Sequence, residues 1–394
     1  MKNHVCVLLL LILLVLTSCG YRQNSPITSD GSVTVESSDT VTAVPSEAPP
    51  VSDETAMRIE TVPYPNPQTV SAYDALNEDQ QMAYDAIGDA LCKALDGSFS
   101  VGETYPLKRR ILWYDYRQAL RIFDANYTAL STILGVFFSQ DSLGTQDHVD
   151  GILFYDNGFA SDFLNREYPA LCEAADSILG SLTYDGTDSG KAFAIAQWLV
   201  DNVVYPSDYK VRSSDTWLIS AEGPILRKEA VCDGYAKAYD FLCKRAGLET
   251  IYVMSRKQNH AWNMICVDDA WYHIDTTWMN SRDYHKYFMM SEKECYADHE
   301  KAEYYCITRT LESIIPEAPH CSPYGCLVFD TADGAFDYLR DHELTDELRF
   351  YFTSPVEKDK FLTYDKKYVS TTDSFLSVRS LCDEIAVVSS IYYF

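Results

Sequence analysis

Several features are missing from this 394-residue chain, and each absence closes off a class of function. No Gly-rich loop of the phosphate-cradling kind occurs, which removes the common nucleotide-binding motifs. Internal repeats are lacking, so a solenoid or propeller is excluded. No basic patch with interleaved aromatics is found. Basic residues are scarce, 32 against 58 acidic ones, and the formal net charge is −26. That balance argues against nucleic acid as a partner and against anionic lipid headgroups as a docking surface. It could attract cationic, Lys-bearing peptides, although solvated acidic faces are the commoner explanation. A tight Cys-x-x-Cys pair is also absent among the 12 cysteines, so a structural zinc site is a weak reading and no metal or other cofactor is expected.

What is present begins with a leader. Lys2 precedes the apolar run Val5 to Leu16, which has the length of a signal-peptide core and is too short to span a bilayer easily. Leu16-Thr17-Ser18-Cys19-Gly20 follows. Small residues leading directly into cysteine resemble the bacterial lipobox, and the resemblance implies cleavage before Cys19 and lipid attachment to its sulfur. The expectation is a lipoprotein, held at the extracytoplasmic face of a bacterial membrane by acyl chains that each bury their CH₂ groups at ~0.8 kcal/mol apiece. Residues 1–18 are then the signal peptide. Residues 19–68 are a lipidated cysteine followed by a Ser/Thr/Pro-rich stalk with almost no aromatics, which cannot bury enough apolar surface to order itself.

The remainder is long enough for two or three domains, and a hydrophobic content of 47% with 13% aromatics marks it as folded. The 29 tyrosines would suit contacts to polymers or peptides, with core packing as the commoner explanation. Residues 69–185 read as a mostly helical module. Asn77-Glu78-Asp79 signals a helix start, a stripe runs through Met82, Ala86, Ile87, Ala90 and Leu91, and further helices are expected near 114–130 and 166–183. Residues 186–315 are expected to form the core that carries the chemistry. Residues 316–394 read as a small α+β region, with a helix around Phe336–Leu339 and strands at Leu348–Thr353 and Ile385–Phe394.

The best-patterned segment lies in the core. Val231-Cys232-Asp233-Gly234-Tyr235-Ala236 opens a helix whose apolar positions fall at 235, 238, 239, 242 and 243, ended by Gly247. Cys232 therefore stands at a helix N-terminus, where free amides and the macrodipole favour a thiolate. Its own backbone N–H is placed to serve as an oxyanion donor. Residues 260–267 and 270–277 are two strand-like runs separated by Asp268-Asp269, a pair suited to a tight turn. If those two residues are the loop, Val267 pairs with Ala270 and Asp275 becomes the diagonal neighbour of His260 on the same face. A slip of one residue would part them. Thiol, imidazole and carboxylate are the three groups that covalent acyl transfer needs. A helix over 188–204 and a strand over 248–254 should complete the core.

These blocks, VCDGYA, HAWN and WYHIDTTW, make the stretch from about 188 to 290 similar to the transglutaminase-like superfamily of papain-fold cysteine enzymes. The resemblance implies an α+β fold in which the helix bearing the Cys packs on an antiparallel sheet bearing His and Asp. It also implies Cys232 as nucleophile, His260 as general base and acid, and Asp275 as the orienting carboxylate. A second oxyanion donor is usual upstream of the nucleophile, and Trp217 and Tyr205 are the candidates. The superfamily includes cross-linking enzymes, peptidases, deamidating enzymes and inactive members, so the resemblance narrows the chemistry without naming the reaction.

Plainer readings stand beside this one. A cysteine on an apolar helix is most often a small buried hydrophobe, as expected of Cys243. A histidine in a strand is most often satisfied locally, as expected of His273. Export permits disulfides, with Cys321 and Cys326 the best local pair, whereas an anaerobic cell would leave the thiols reduced. Two functions follow. The first is a membrane-anchored thiol enzyme acting on peptide or protein amides, cell-wall-associated ones among them, by hydrolysis rather than amine transfer. The second is a catalytically silent module that keeps the cleft to bind wall or surface peptides.

Overall fold

The computed structural model describes residues 57–61 and 73–391, except 136, 156–161, 208–215, 282–285, 303–315, 317–319, 322, 325, 342–347, 364–374 and 381–384. The expected leader, Cys19 and most of the stalk lie outside the described residues. Among the described residues no helix is long and apolar enough to cross a membrane.

The first short strand, β1 (Met57–Arg58), precedes helix α1 (Glu78–Leu95), which starts where the cap signal places it. Asn77 accepts from the Gln80 amide at 2.9 Å and Gln80 accepts from the Asn77 amide at 3.2 Å, closing a reciprocal box over two otherwise unpaired donors. The buried stripe of α1 packs on α2 (Trp113–Asn126). To the helices expected here the structure adds a small sheet that the sequence reading did not include. Residues β2 (Thr104–Leu112), β3 (Phe137–Gln140) and β4 (His148–Phe154) form an antiparallel sheet in the order β2-β4-β3. The period-2 signal of β2 is hidden by an irregularity between Pro106 and Ile111, where its register against β4 shifts. Helix α3 (Tyr168–Ser181) lies within the expected 166–183, and β5 (Thr183–Tyr184) pairs with β1.

The core follows. Helix α4 (Asp188–Asn202) is capped by Thr187, whose hydroxyl accepts from the Gly190 amide at 3.0 Å. Helix α5 (Cys232–Arg245) lies against an antiparallel sheet of β6 (Thr250–Ser255), β7 (His260–Val267) and β8 (Ala270–Ile274), with β7 central. The β7–β8 register pairs Val267 with Ala270, as the two-residue loop requires. Asp268 and Asp269 both take positive φ, 52° and 61°, the conformation of a type I′ hairpin turn. The chain leaves β8 into α6 (Thr276–Ser281), so Thr277 is helical rather than paired with His260. The α+β expectation, a Cys-bearing helix on a His-bearing antiparallel sheet, is met.

The helical module and the core share one apolar interior, running from Ile59 and Ile87 through Phe193, Tyr239 and Trp262 to Tyr324. A buried polar knot fastens them. Asp240 on α5 accepts from Thr128 and Thr250 at 2.7 Å each and pairs with Lys244 at 2.7 Å, while Lys244 also donates to the Asn126 carbonyl. Both ionic side chains have no exposure.

The C-terminal region has its own small interior of Ala335, Leu339, Phe350, Phe352, Phe361 and Val388. It consists of β9 (Leu327–Phe329), α7 (Ala332–Asp341), β10 (Leu348–Phe352), α8 (Pro355–Thr363), β11 (Phe375–Ser380) and β12 (Ile385–Ile391), in the sheet order β11-β12-β10-β9. Arg349 joins it to the core by bonds to Glu294 at 3.0 Å and to the Lys286 carbonyl at 3.2 Å. The expected Cys321–Cys326 bridge is not formed: Cys321 is disulfide-bonded, whereas Cys326 keeps its thiol and is buried. The Cys326 amide closes a turn onto the Pro323 carbonyl at 3.2 Å, which leads that side chain into the interior.

Candidate active site

Cys232 is the first residue of α5, preceded by Val231 in an extended conformation (ψ 179°). The turn of chain before it is pressed against the helix start. The Val231 amide donates to the Leu218 carbonyl at 3.1 Å, and Lys237 donates to the Ile219 carbonyl at 2.9 Å. That close approach explains Gly234 in the VCDGYA block, because a Cβ there would sit 2.5 Å from the Leu218 carbonyl oxygen and 2.8 Å from the Ala230 Cβ. Gly234→Ala should therefore cost ~1–3 kcal/mol of stability and shift the N-terminus of α5. A fall in thermal midpoint together with slower labelling of Cys232 checks this.

The helix is registered on the sheet by Asn263, whose side-chain NH₂ donates to the Ala236 carbonyl at 3.0 Å. Ala236, one turn along from Cys232, packs with Tyr252 of β6 and Ala261 of β7. Asp233 takes a hydrogen bond from Tyr252 and pairs with Lys237 at 3.2 Å.

His260 Nε2 lies 2.7 Å from Asp275 Oδ2. With Nε2 engaged by the carboxylate, Nδ1 is the nitrogen left for exchange with a thiol. Trp278 stacks on the imidazole at 4.9 Å and 19°, and Trp262 at 5.8 Å and 22°, which fixes its plane. Asp275 is wholly buried and its second oxygen, Oδ1, accepts the amides of Thr277 at 3.0 Å and Trp278 at 3.1 Å, capping α6. Burial opposes ionisation of Asp275, but the charge and hydrogen bond of His260, then those of His299, prevail and hold its pKa down to about 2.

His299 is the member of this cluster that sequence reasoning missed. Its Nε2 lies 3.0 Å from Asp275 Oδ2, the same oxygen that binds His260, and its side chain has no exposure. It follows the short helix Glu292–Cys295, well past the hairpin, and no periodicity or spacing in the sequence marks it. The stacking tryptophans, in contrast, stood inside the HAWN and DTTW blocks.

The other named residues fall into place as follows. Trp217 lies beside the start of α5 through its neighbour Leu218, but the Arg227 guanidinium covers its ring at 4.9 Å, and it lines a small cavity with Glu167, Glu222 and Arg227. Tyr205 stacks on Tyr235 at 6.5 Å. His273 Nδ1 accepts from the Trp262 indole at 3.1 Å, and burial drives its pKa down to about 3, so it is a neutral histidine held within its own sheet. Burial raises the thiols of Cys92, Cys172, Cys243, Cys266, Cys295 and Cys326, which makes all six poor nucleophiles near neutral pH.

His260, Asp275 and His299 bring their nitrogens and a carboxylate oxygen within 4.8 Å of one another. Their pairwise contacts of 2.7 and 3.0 Å to a single oxygen are those of charge-assisted hydrogen bonds, and we read the cluster as hydrogen-bonded.

Residues 176–276 match the sequence model of the transglutaminase-like superfamily. Comparison with curated proteins finds no match. Among solved structures the chain is similar to a candidate cysteine protease from Cytophaga hutchinsonii, at 23% identity and a TM-score of 0.22, over 28% of this chain and 37% of that one. It is also similar to a TGase, at 13% identity and a TM-score of 0.23, over 36% of this chain and 43% of that one. The chain thus spans less than half the length of either.

Proposed function

From the premise that residues 176–276 form a transglutaminase-like domain, we propose that this protein is a cysteine acyl-transfer enzyme acting on peptide or protein amides. Cys232 is its nucleophile, His260 its proton carrier and Asp275 the carboxylate that orients His260. The observation that carries the reading is the join of two placements: a cysteine at the first position of α5, and, on the strand packed beneath that helix, a histidine whose Nε2 is held 2.7 Å from a buried aspartate.

The sequence of events follows from the groups. His260 Nδ1 takes the thiol proton, and the Cys232 thiolate adds to the amide carbonyl carbon. The oxyanion is met by the Cys232 backbone N–H at the head of the helix. The C–N bond breaks as the His260 imidazolium gives its proton to the leaving amine, leaving a thioester. Water, deprotonated by His260, then attacks the thioester, and the acid and the free thiol are released. An amine in place of water would give transfer instead. Hydrolysis is favoured because water is the most abundant acceptor, and transfer to an amine would require a site that keeps it out.

Cys19 lipidation and the stalk would hold this catalytic body at the outer face of a bacterial membrane, within reach of wall or surface peptides. The opposing reading, a silent peptide-binding module, predicts an ordinary thiol. Carbamidomethylation of Cys232, followed by mass spectrometry across pH, separates the two. The enzyme reading expects fast labelling at about pH 5–6 that collapses in His260→Ala, with the six cysteines of raised pKa slow. Labelling like that of a free thiol of pKa about 8.5, indifferent to the substitution, would favour the binding module.

A further inference from the structure

Both ring nitrogens of His299 face acceptors. Nε2 lies 3.0 Å from Asp275 Oδ2, and Nδ1 lies 2.9 Å from Asp298 Oδ1 and 3.0 Å from the Cys295 carbonyl. Carboxylate and carbonyl oxygens cannot donate, so a neutral imidazole would turn one lone pair against an oxygen lone pair in a site without solvent. Both nitrogens must therefore carry protons. Asp298 is itself secured by Lys286 at 2.6 Å and the Tyr287 hydroxyl at 2.8 Å. Rings pack around His299: Trp278 at 4.0 Å, Trp262 at 4.8 Å, Tyr287 at 5.9 Å and His260 at 5.7 Å.

We propose that His299 is a positioning residue, a fixed imidazolium that shares the Asp275 carboxylate with His260 and so sets how strongly the Cys232–His260 pair holds its protons. The inference rests on the enzyme reading above and adds to it a relay of alternating charge, Asp298, His299, Asp275 and His260. Its physical consequence has a definite sign. A permanent cation bound to the same carboxylate oxygen as His260 drains part of that carboxylate's attraction and repels a second imidazolium. Without it, Asp275 would grip a protonated His260 more tightly, and the base would be slow to give its proton to a leaving amine.

Other ionisable groups around His299 leave this sign unchanged. Burial works against its charge, but the hydrogen bonds it donates to Asp275, then Asp298, then Cys295 prevail and raise its pKa to about 11. Burial raises the Cys295 thiol, and burial with the His299 charge keeps His273 neutral. Lys286 faces Asp298 rather than the imidazole.

The test reads ring protonation by two-bond ¹H–¹⁵N correlation of the histidines across pH, in wild type and in His299→Gln. That substitution keeps a side-chain donor and removes the charge. In wild type His299 should show two protonated nitrogens at pH 8. In His299→Gln the His260 titration should move upward by about one pH unit or more, and the acid limb of Cys232 carbamidomethylation should move upward with it, since removing a cation raises the pKa of every nearby acid. A purely structural role would lower stability and leave both midpoints in place. A singly protonated His299 at pH 8, or an unmoved His260 titration in the folded variant, overturns the proposal. Should His299→Gln fail to fold, Asp298→Asn removes one acceptor and should lower the pH at which His299 loses its second proton; an unchanged His299 titration there also overturns it. If wild-type Cys232 shows no His260-dependent labelling, the enzyme reading fails, whatever the state of His299.

Discussion

Replacing Asp275 by asparagine should lower turnover of an amide substrate by about 10²–10⁴-fold, while leaving a folded but less stable protein. The size follows from the number of groups that one carboxylate serves. Oδ1 accepts two amides at the start of α6, and Oδ2 accepts from His260 and His299. Asparagine can keep the carbonyl oxygen toward the amides, which preserves the cap. Its NH₂ must then face two imidazole nitrogens, and a donor meets donors. His260 can escape only by exposing a lone pair at Nε2, which moves its proton to Nδ1 and leaves it unable to accept one from Cys232. His299 loses one of its two carboxylates and with it much of the reason to stay charged. Activity should therefore fall further than stability. Rates at saturating and limiting substrate should drop together, because the lost interaction belongs to the transition state. A variant with unchanged kcat/KM would remove Asp275 from the mechanism.

Lys244→Met should cost ~3–5 kcal/mol, a large part of the total stability of an ordinary domain. The lysine ammonium is fully buried against Asp240, and removing it leaves a carboxylate with two threonine hydroxyls and no counter-charge. Burying an ion so poorly compensated is among the costliest changes a core can undergo. Asp240→Leu combined with Lys244→Met should recover only part of the loss. The apolar pair no longer buries a charge, but Thr128, Thr250 and the Asn126 carbonyl each lose a partner. Denaturant unfolding of the two single variants and the double variant gives the coupling directly. A fully neutral Lys244→Met would mean that Asp240 takes up a proton instead.

Much of the core could be read from the chain because its signals are local. The α5 stripe, Gly247 after it, and the two residues between β7 and β8 each act within a few positions, and a period of two then determines which side chains share a face. That register puts His260 and Asp275 on the same face, and the turn of the chain from β8 into α6 completes their contact. The sheet β2-β4-β3 was not legible: β2 carries Lys108, Arg109 and Arg110 in succession, and the register shift after Pro106 breaks the alternation that identifies a strand. The disulfide guess failed because nearness in sequence does not orient two side chains, and Cys326 turns inward. His299 was invisible for a deeper reason. Its partners come from the end of β8 and from its own neighbour Asp298, and only the folded loop brings those two carboxylates to opposite edges of one ring.

The polar knot at Asp240 and the bonds made by His299 bear on how this protein can be cut. The recognisable homology covers residues 176–276, yet Asn126 and Thr128 lie before that span, and Asp298 and His299 lie after it. A fragment trimmed to the homologous stretch would strand the Lys244 ammonium without its Asn126 carbonyl and strip Asp275 of one of its two histidines. The smallest piece worth expressing begins ahead of α1 and continues past Glu300, whose amide donates to the Gln258 side chain at the turn into β7.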